Sequence, residues 1–397
     1  MKNYLRIFSI IVIIGALLAP SSLFAATKAK FYYSGWLPYW KQQPGAQNTA
    51  LNLEKLHEIS PFSYEVRANG TLVDKLKINE GFWPAWLSAV HDMGIKIIPT
   101  IAWFDGDGIH KLLSNKKTRI AHEDTIKALV KTQNFDGIDI DYEAKLADTK
   151  DYFSTFLYGL AIRLHPMGKT LSCTIEARMP ATSRLSYTGT PDDYTYANDY
   201  AAINKYCDQV RIMTYDQGVI DVDLDAVKGG NDQLYAPVSD PDWAKKVLTL
   251  AVKSINPKKI MLGVPTYGYE YQVTLNNGIL TYERLRSHTF VQAMARASST
   301  FSTPARNNAG ELSFIYTTTT RVHGVSPNLT WNLGSTLNTI LANFISTSST
   351  QSTRYVSFAD SESAAKLIAV AKQFGIRGVV FFKLDGDLDP TLWSIMK

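Results

Sequence analysis

Apolar and polar positions alternate along this chain in blocks that are typical of strands separated by helices. Eight apolar runs predict β-strands, near residues 31–36, 59–64, 95–102, 135–142, 170–176, 208–215, 259–265 and 377–382. Most intervals between them carry a helical spacing of apolar residues, and strands that alternate with helices form parallel sheets. Eight such units predict a closed (β/α)8 TIM barrel. The alternative is an open doubly wound sheet, but no glycine-rich dinucleotide turn follows the first strand.

Four segments between the strands have the pattern of amphipathic helices. The clearest is 148–165, whose apolar stripe consists of Phe153, Phe156, Leu157, Leu160 and Leu164. Pro166 and Gly168 mark its end. The other helices are predicted over 361–374, before Gly375 as a C-terminal cap, and over 84–93 and 122–132.

The interval between the seventh and eighth predicted strands is much longer than the others. It is rich in Thr, Ser and Asn, and it contains an alternating segment at 312–316 and a helix-like segment at 282–297. We therefore predict a small α+β insertion over about 270–352, within one barrel domain that covers 26–397. The 45% content of hydrophobic residues is enough for one large core.

The first 25 residues have the features of a secretory signal peptide. Lys2 and Arg6 precede an apolar run, and Ala25 is a plausible last residue before cleavage. The run is short for a membrane span, so cleavage is favoured over an uncleaved anchor. We expect a secreted protein that is extracellular, periplasmic or in the cell envelope, with no stable membrane span after cleavage.

The net charge limits which partners the sequence predicts, and the cysteine content limits which metal sites it can form. The formal net charge is +5, and loss of Lys2 and Arg6 lowers it by two, which is too mild to indicate nucleic acid as a partner. Cys173 and Cys207 are the two cysteines, and they cannot form a metal site alone. Buried free thiols are favoured, although a secreted chain also permits a bridge. The oligomeric state stays open, with a monomer favoured.

The stretch 135–143 has the sequence Phe-Asp-Gly-Ile-Asp-Ile-Asp-Tyr-Glu. Side chains alternate along a strand, so Asp139, Asp141 and Glu143 share one face and the apolar residues share the other. Like charges this close cannot all ionise freely, and a protonated carboxyl near neutral pH is a general acid. The alternatives are a solvated acidic edge strand and a calcium loop, but the closing Glu and central Gly of the calcium pattern are missing.

Aromatic and acidic residues recur at the C-terminal ends of the predicted strands, where a barrel of this type carries its chemistry. Aromatic rings stack on the apolar faces of sugar rings, so these ends predict a carbohydrate groove. The candidate substrate-binding residues are Trp36, Tyr64, Trp103, Asp216, Tyr267 and Phe382. A single Trp or Tyr is more often a core residue, but several of them at one end of successive strands favour a carbohydrate groove.

The acidic stretch resembles the Asp-x-x-Asp-x-Asp-x-Glu signature of glycoside hydrolase family 18, the chitinase-like enzymes. Asp136, Asp139, Asp141 and Glu143 fill its four positions, with Gly137 between them. Residues 213–216, Met-Thr-Tyr-Asp, resemble the family's Met-x-Tyr-Asp motif, and 263–268 resemble its seventh strand. Segments 36–40, 60–64 and 358–363 are similar to the branch with spore-cortex glucosaminidases and chitinase-domain-containing proteins. Phe382 stands where many relatives carry a Trp.

The resemblance implies a retaining, substrate-assisted mechanism on an oligosaccharide or polysaccharide. Glu143 would protonate the glycosidic oxygen while the sugar's own 2-acetamido group attacks the anomeric carbon. Asp141 would orient the acetamide, Asp139 would support Asp141, and Tyr215 would donate to the acetamido oxygen. Asp136, Gly137 and Met213 would support the motifs. The family needs no metal and no cofactor. The alternative is an inactive chitinase-like carbohydrate-binding protein.

Two further acidic segments are interpreted as ordinary surface structure. Residues 221–225, Asp-Val-Asp-Leu-Asp, predict a solvated loop, with a cation site as the minor alternative, and 105–108, Asp-Gly-Asp-Gly, predict a turn.

Overall fold

A computed structural model describes residues 30–184, 196–229, 233–276, 279–319 and 351–397. The predicted signal peptide and part of the predicted insertion lie outside the described residues. In the order of the chain, the strands are β1 (Tyr32–Pro38), β2 (Glu58–Val66), β3 (Leu72–Asp74), β4 (Lys96–Ile97), β5 (Thr100–Trp103), β6 (Gly137–Tyr142), β7 (Thr170–Glu176), β8 (Gln209–Met213), β9 (Ile260–Pro265), β10 (Tyr267–Asn276), β11 (Ile279–Thr289), β12 (Ala305–Arg306), β13 (Leu312–Thr319), β14 (Gln351–Phe358) and β15 (Gly378–Phe382).

Eight of these strands form a closed parallel ring. The order around it is β1, β15, β9, β8, β7, β6, β5 and β2, and pairing of β1 with β2 closes it. The short strand β4 lies beside β2 before β5 continues that position, so the run predicted at 95–102 is divided in two. The predicted (β/α)8 barrel is confirmed.

Most of the helices occupy the connections between the ring strands and cover their outer faces, and one packs on a second sheet. They are α1 (Gln42–Ala50), α2 (Trp83–Asp92), α3 (Gly106–Ser114), α4 (Lys116–Thr132), α5 (Lys150–Leu164), α6 (Tyr200–Tyr206), α7 (Val222–Lys228), α8 (Pro241–Ala251), α9 (Phe290–Ser299) and α10 (Ser361–Gln373). The predicted apolar stripe of α5 is buried along its whole length. The helix predicted at 122–132 begins earlier, where Asn115 caps it by accepting hydrogen bonds from the Lys117 and Thr118 amides.

Both additional acidic segments are helix starts, which corrects the predicted loop and turn. Asp221 is fully buried, accepts from the Leu224 amide as the cap of α7, and lies 2.8 Å from Lys246 Nζ. Asp105 caps α3 by accepting from the Gly108 amide. Each of these aspartates accepts from the amide three residues onward, which is the usual geometry of an N-cap side chain.

The chain between β9 and β15 builds a second, antiparallel sheet in the order β11, β10, β14, β13, β12, with α9 packed on it. Only Thr266 separates β9 from β10, so this sheet starts directly at the end of a barrel strand. The helix predicted over 282–297 is wrong in its first half. Residues up to Thr289 pair with β10 instead, and α9 begins at Phe290.

The prediction of free thiols is wrong, because Cys173 and Cys207 form a disulfide. Cys173 lies in β7 and Cys207 lies just before the adjacent strand β8, so strand pairing brings their Cα atoms to 6.1 Å. Both cysteines are fully buried.

Removing this bridge is expected to lower the stability of the barrel. The cysteines are 34 residues apart, and a loop of that size predicts a loss of about 3 to 4 kcal/mol in the free energy of unfolding. Urea unfolding of the Cys173→Ala, Cys207→Ala double variant, against the oxidised protein, measures it. Equal stability, with two titratable thiols in the untreated protein, would contradict the pairing.

Within the described residues, no helix is long and apolar enough to cross a bilayer. The same part of the chain contains no cluster of three His, Cys, Asp or Glu side chains that could hold a metal ion.

Candidate active site

Strand β6 places the acidic row inside the barrel because its two faces differ. Ile138, Ile140 and Tyr142 point outward and are fully buried under the helices, where the Tyr142 ring stacks on Phe156 with centroids 5.6 Å apart. Asp139, Asp141 and Glu143 therefore point into the barrel, from its middle to its C-terminal end.

Asp139 is the deepest of the three and is fully buried. Its carboxylate accepts hydrogen bonds from Thr100, Ser172 and Thr174 at 2.6 to 3.0 Å. Arg211 Nη1 lies 3.1 Å away, and the same guanidinium donates to Glu58 at 2.7 Å. The cation and the several donors hold this buried carboxyl group in place beneath Asp141.

Asp141 lies above it and is almost fully buried. Its pKa is raised well above the usual value, first by burial and then by the charges of Glu143 and Asp139, whereas Lys145 opposes the rise. Its Oδ1 accepts no hydrogen bond from the described residues. A buried carboxyl oxygen without a donor is costly, so this atom is available to a substrate group that carries an N–H or O–H.

Glu143 follows the last residue of β6, where its amide donates to the Trp103 carbonyl. Burial raises the pKa of its carboxyl to about 7, and the charges of Glu176 and Asp216 act in the same direction against Lys145. A carboxyl group with this pKa holds a proton near neutral pH and releases it readily. Glu143 therefore has the property of a general acid.

An aromatic floor lies beside the acidic row. Phe382 stacks on Tyr215 with centroids 5.3 Å apart, and it meets Trp36 and Tyr267 edge-on at 5.7 and 5.9 Å. These four rings come from β15, the end of β8, β1 and the start of β10, so the barrel brings together four residues that are distant in sequence. Burial raises the pKa of Tyr215, and its phenol is a hydrogen-bond donor.

Asp216 is exposed at the rim of this floor, with a left-handed backbone at φ 61°. Its Oδ1 accepts hydrogen bonds from the hydroxyls of Tyr267 and, at 2.7 Å, Tyr269. Tyr269 was not predicted, because its strand belongs to the second sheet and its position at the rim follows from the join between β9 and β10.

Two predicted sugar-binding residues lie elsewhere, which corrects the interpretation of those strands. Trp103 pairs with the outward Tyr142, and its ring meets Tyr142 and His122 beneath the helices. Tyr64 pairs with the outward Ile101, and its ring packs near Phe135. The register shifts between Phe62 and Tyr64, so Phe62 joins the cluster that contains Trp36 and Tyr215.

The motif-supporting residues lie at the start of β6 and at the end of β8. Asp136 accepts from the Ile97 amide and lies 2.9 Å from His91 Nε2, at the entry of β6. A Cβ on Gly137 would lie 2.2 Å from the Thr170 carbonyl oxygen, so only glycine permits this close strand pairing. Met213 packs against the cluster around Tyr215.

The fold and this site define the class of (β/α)8-barrel glycoside hydrolases. Residues 31–387 match Glycosyl hydrolases family 18, and the chain belongs to that family. It is 30% identical over 170 residues to an uncharacterized glycosylase of Bacillus subtilis, covering 43% of this chain and 44% of that protein. The chain thus spans less than half the length of this relative.

Solved structures share the fold. The Bacillus cereus spore cortex-lytic enzyme superimposes with a TM-score of 0.65 at 21% identity, over 93% of this chain and 74% of that one. A chitinase from Chromobacterium violaceum superimposes with a TM-score of 0.66 at 17% identity, over 92% and 98%.

Proposed function

We propose that this protein is a secreted glycosidase that cleaves β-linked glycans containing N-acetylglucosamine, by retaining, substrate-assisted catalysis. The observation that carries the proposal is the row of acids on one strand, in which burial raises the pKa of Glu143 to about 7 and Asp141 Oδ1 accepts no hydrogen bond from the described residues. Secretion rests on the charged start and apolar run within residues 1–25.

The carboxylates of Glu176 and Asp216, near Glu143, are already hydrogen-bonded to other groups of the protein. Glu176 accepts from Asn198, Lys145 and the Ala144 amide, and Asp216 accepts from two tyrosines. Most glycosidases place a nucleophilic carboxylate across the scissile bond from the acid. Here the carboxylates around Glu143 belong to its own strand or are already hydrogen-bonded, which favours a nucleophile supplied by the substrate.

The chemistry then proceeds in two steps. Glu143 donates its proton to the glycosidic oxygen as that oxygen leaves the anomeric carbon. The carbonyl oxygen of the 2-acetamido group bonds to the same carbon and forms an oxazolinium ion, whose N–H donates to Asp141 Oδ1 while the Tyr215 hydroxyl donates to the acetamido oxygen. Water then opens this ring and returns a proton to Glu143. Attack occurs twice at one carbon, so the configuration is retained.

The aromatic floor orients the sugar for this reaction. Phe382 is the partly exposed ring of the floor and offers an apolar surface beside the acids, and pyranose rings stack on such surfaces. Trp36 is 1% exposed and packs edge-on against Phe382. Phe382 keeps the apolar platform of the more usual Trp but cannot donate a hydrogen bond, since it lacks an indole N–H.

Chitin-type chains and peptidoglycan are the two candidate substrates. Relatives of this chain carry names of both kinds: a probable chitinase of Drosophila melanogaster and a cortical fragment-lytic enzyme of Bacillus anthracis.

The decisive experiment incubates the protein with chitooligosaccharides and, separately, with purified peptidoglycan, and identifies the products by mass spectrometry. We expect hydrolysis at N-acetylglucosamine residues of at least one glycan, with initial products in the β-configuration by NMR. Binding of both glycans without cleavage would identify a chitinase-like binding protein instead and overturn the proposal.

A further inference from the structure

The turn after Glu143 has an unusual backbone. Ala144 adopts φ 54°, a left-handed conformation that is unfavourable for an alanine because its Cβ crowds the backbone. Its carbonyl oxygen lies against Gly106, where an added Cβ would approach it to 2.2 Å. A strained residue persists only where its surroundings hold it, and this one directly follows the candidate acid.

Glu176, at the end of β7, holds this turn from the side. Its Oε1 accepts from the Ala144 amide at 3.2 Å, and its Oε2 accepts from Asn198 Nδ2 at 2.6 Å. The side chain is 40% exposed, so it faces the opening of the site and not the core. The Asn198 contact fixes the carboxylate, since the second oxygen cannot rotate away without losing that bond.

Lys145 completes the arrangement from below. Its side chain is 1% exposed, and its ammonium group lies 3.4 Å from Glu176 Oε2 and 4.9 Å from the centroid of the Phe153 ring. The ammonium also donates to the Tyr142 carbonyl. An ammonium group is costly to bury without partners, so these contacts account for its position.

Together these contacts bracket Glu143 on both sides along the chain. The Tyr142 carbonyl is the backbone group before it, and the Ala144 amide is the backbone group after it. Lys145 holds the first, Glu176 holds the second, and the two side chains form an ion pair with each other. We name this arrangement of Lys145, Glu176 and Asn198 the Glu143 clamp.

We infer that Lys145 and Glu176 are positioning residues, which fix the turn at Ala144 so that the Glu143 carboxyl points at the glycosidic oxygen. The inference rests on the proposed function, because the glycosidic oxygen is the atom that Glu143 is proposed to protonate. It assigns to these residues a role that the family motif on β6 does not include.

The clamp also acts on Glu143 through its charges, with opposite signs. The charged groups that face Glu143 are Glu176 from β7, Asp216 after β8, Lys145 on its own segment, and Asp141 on β6. Glu176 and Asp216 raise the pKa of Glu143, and Lys145 lowers it. Because Glu143 must carry a proton, activity is present below its pKa of about 7 and is lost as the pH rises through that value.

Two substitutions test the clamp through shifts of opposite direction. Glu176→Gln keeps an acceptor for the Ala144 amide but removes the negative charge, so the alkaline limb of kcat/KM should move down by roughly half to one pH unit. Lys145→Met removes the positive charge, so the limb should move up by a similar amount, and Lys145→Arg should restore it. In both charge-removing variants kcat should fall by roughly tenfold or more while KM changes by less than about threefold, as expected for misplacement of a reacting group.

The exposed ion pair of Lys77 and Glu80 provides matched controls. Lys77→Gln and Glu80→Gln remove the same charges from a pair that is not among the charges acting on Glu143, and we expect no movement of the limb. Shifts of the same direction in the two clamp variants, or no shift in either, would overturn the inference.

A second measurement does not depend on turnover. The carboxyl carbon of Glu143, assigned in 13C-glutamate-labelled protein by its absence in Glu143→Gln, can be titrated by NMR. The Glu176→Gln protein should titrate at lower pH than wild type and the Lys145→Met protein at higher pH. If wild type cleaves no glycan, the proposed function fails while this titration still decides the clamp.

Discussion

Replacing Glu143 by Gln is expected to lower kcat on an unactivated N-acetylated glycan by at least roughly a hundredfold. The amide keeps the size and polarity of the side chain but has no acidic proton, and positioned general acids contribute about 10² to 10⁴ in rate. Binding should survive, since the aromatic floor and Asp141 are unchanged. Initial rates with reducing-end detection, together with calorimetric binding of a chitooligosaccharide, measure the two effects.

The control for this variant is its stability. The folded protein raises the pKa of Glu143 to about 7, so the native state binds this proton more tightly than the unfolded state does. The glutamate therefore costs stability as the pH rises through the interval from its unfolded value to about 7, and it contributes no such cost below that interval. The Gln variant should be at least as stable as wild type at pH 8. A rate near wild type in a well-folded variant would show that another group is the acid.

The acidic row could be predicted from sequence because it depends only on the alternation of side chains along one strand. Asp139, Asp141 and Glu143 are two residues apart, and any strand at this position places them on one face. Phe382 was likewise predicted from its position at a strand end, and Tyr215 from the resemblance of residues 213–216 to the family's Met-x-Tyr-Asp motif. The barrel brings the two rings into one stack.

For Tyr64 and Trp103, a position at the end of a strand did not predict on which face of the strand the side chain lies. A strand end has two faces, and the sequence does not say which face a given aromatic residue occupies. The register shift between Phe62 and Tyr64 changes the face of every later residue in β2, and Glu65 instead of Tyr64 shares the inward side with Ala102. Such a register shift depends on pairing with the neighbouring strand, and the local sequence of β2 carries no information about that pairing.

The disulfide and the clamp were missed for a related reason. Cys173 and Cys207 meet because β7 and β8 are neighbours in a particular register, and the ion pair of Lys145 with Glu176 joins the segment after β6 to the end of β7. The alternation on β6 ends at Glu143, so Lys145 carried no signal of its own. Its proximity to the acid in sequence is the one hint that was present.

Removing the N-acetyl group from the substrate is the second change with a large expected effect. A glycan with free amino groups should bind but be cleaved more slowly by a factor on the order of a thousand, since a positioned intramolecular nucleophile is equivalent to at least about 10⁵ M of free nucleophile. Comparison of fully acetylated and fully deacetylated chitooligosaccharides of equal length measures the factor. Cleavage of both at similar rates would contradict substrate assistance.

Thiazoline mimics of the oxazolinium ion provide the complementary test. They carry the fused ring and developing charge that Asp141 and Tyr215 are placed to stabilise, so they should inhibit competitively and far more tightly than the corresponding sugar. Asp141→Asn should lose most of this affinity, because the amide offers no negative charge to the ring.

The competing mechanism uses a protein nucleophile, and Glu176 and Asp216 are the carboxylates nearest to that role. A fluorosugar would then leave a glycosylated peptide that mass spectrometry detects. The hydrogen bonds of these two carboxylates argue against a protein nucleophile. Glu176 accepts from Asn198 and the Ala144 amide. Asp216 accepts from the hydroxyls of Tyr267 and Tyr269. Each would have to give up its hydrogen bonds to attack, whereas Asp141 Oδ1 accepts none from the described residues. A trapped sugar on either side chain would nevertheless assign the nucleophile to the protein and reduce Asp141 to a supporting charge.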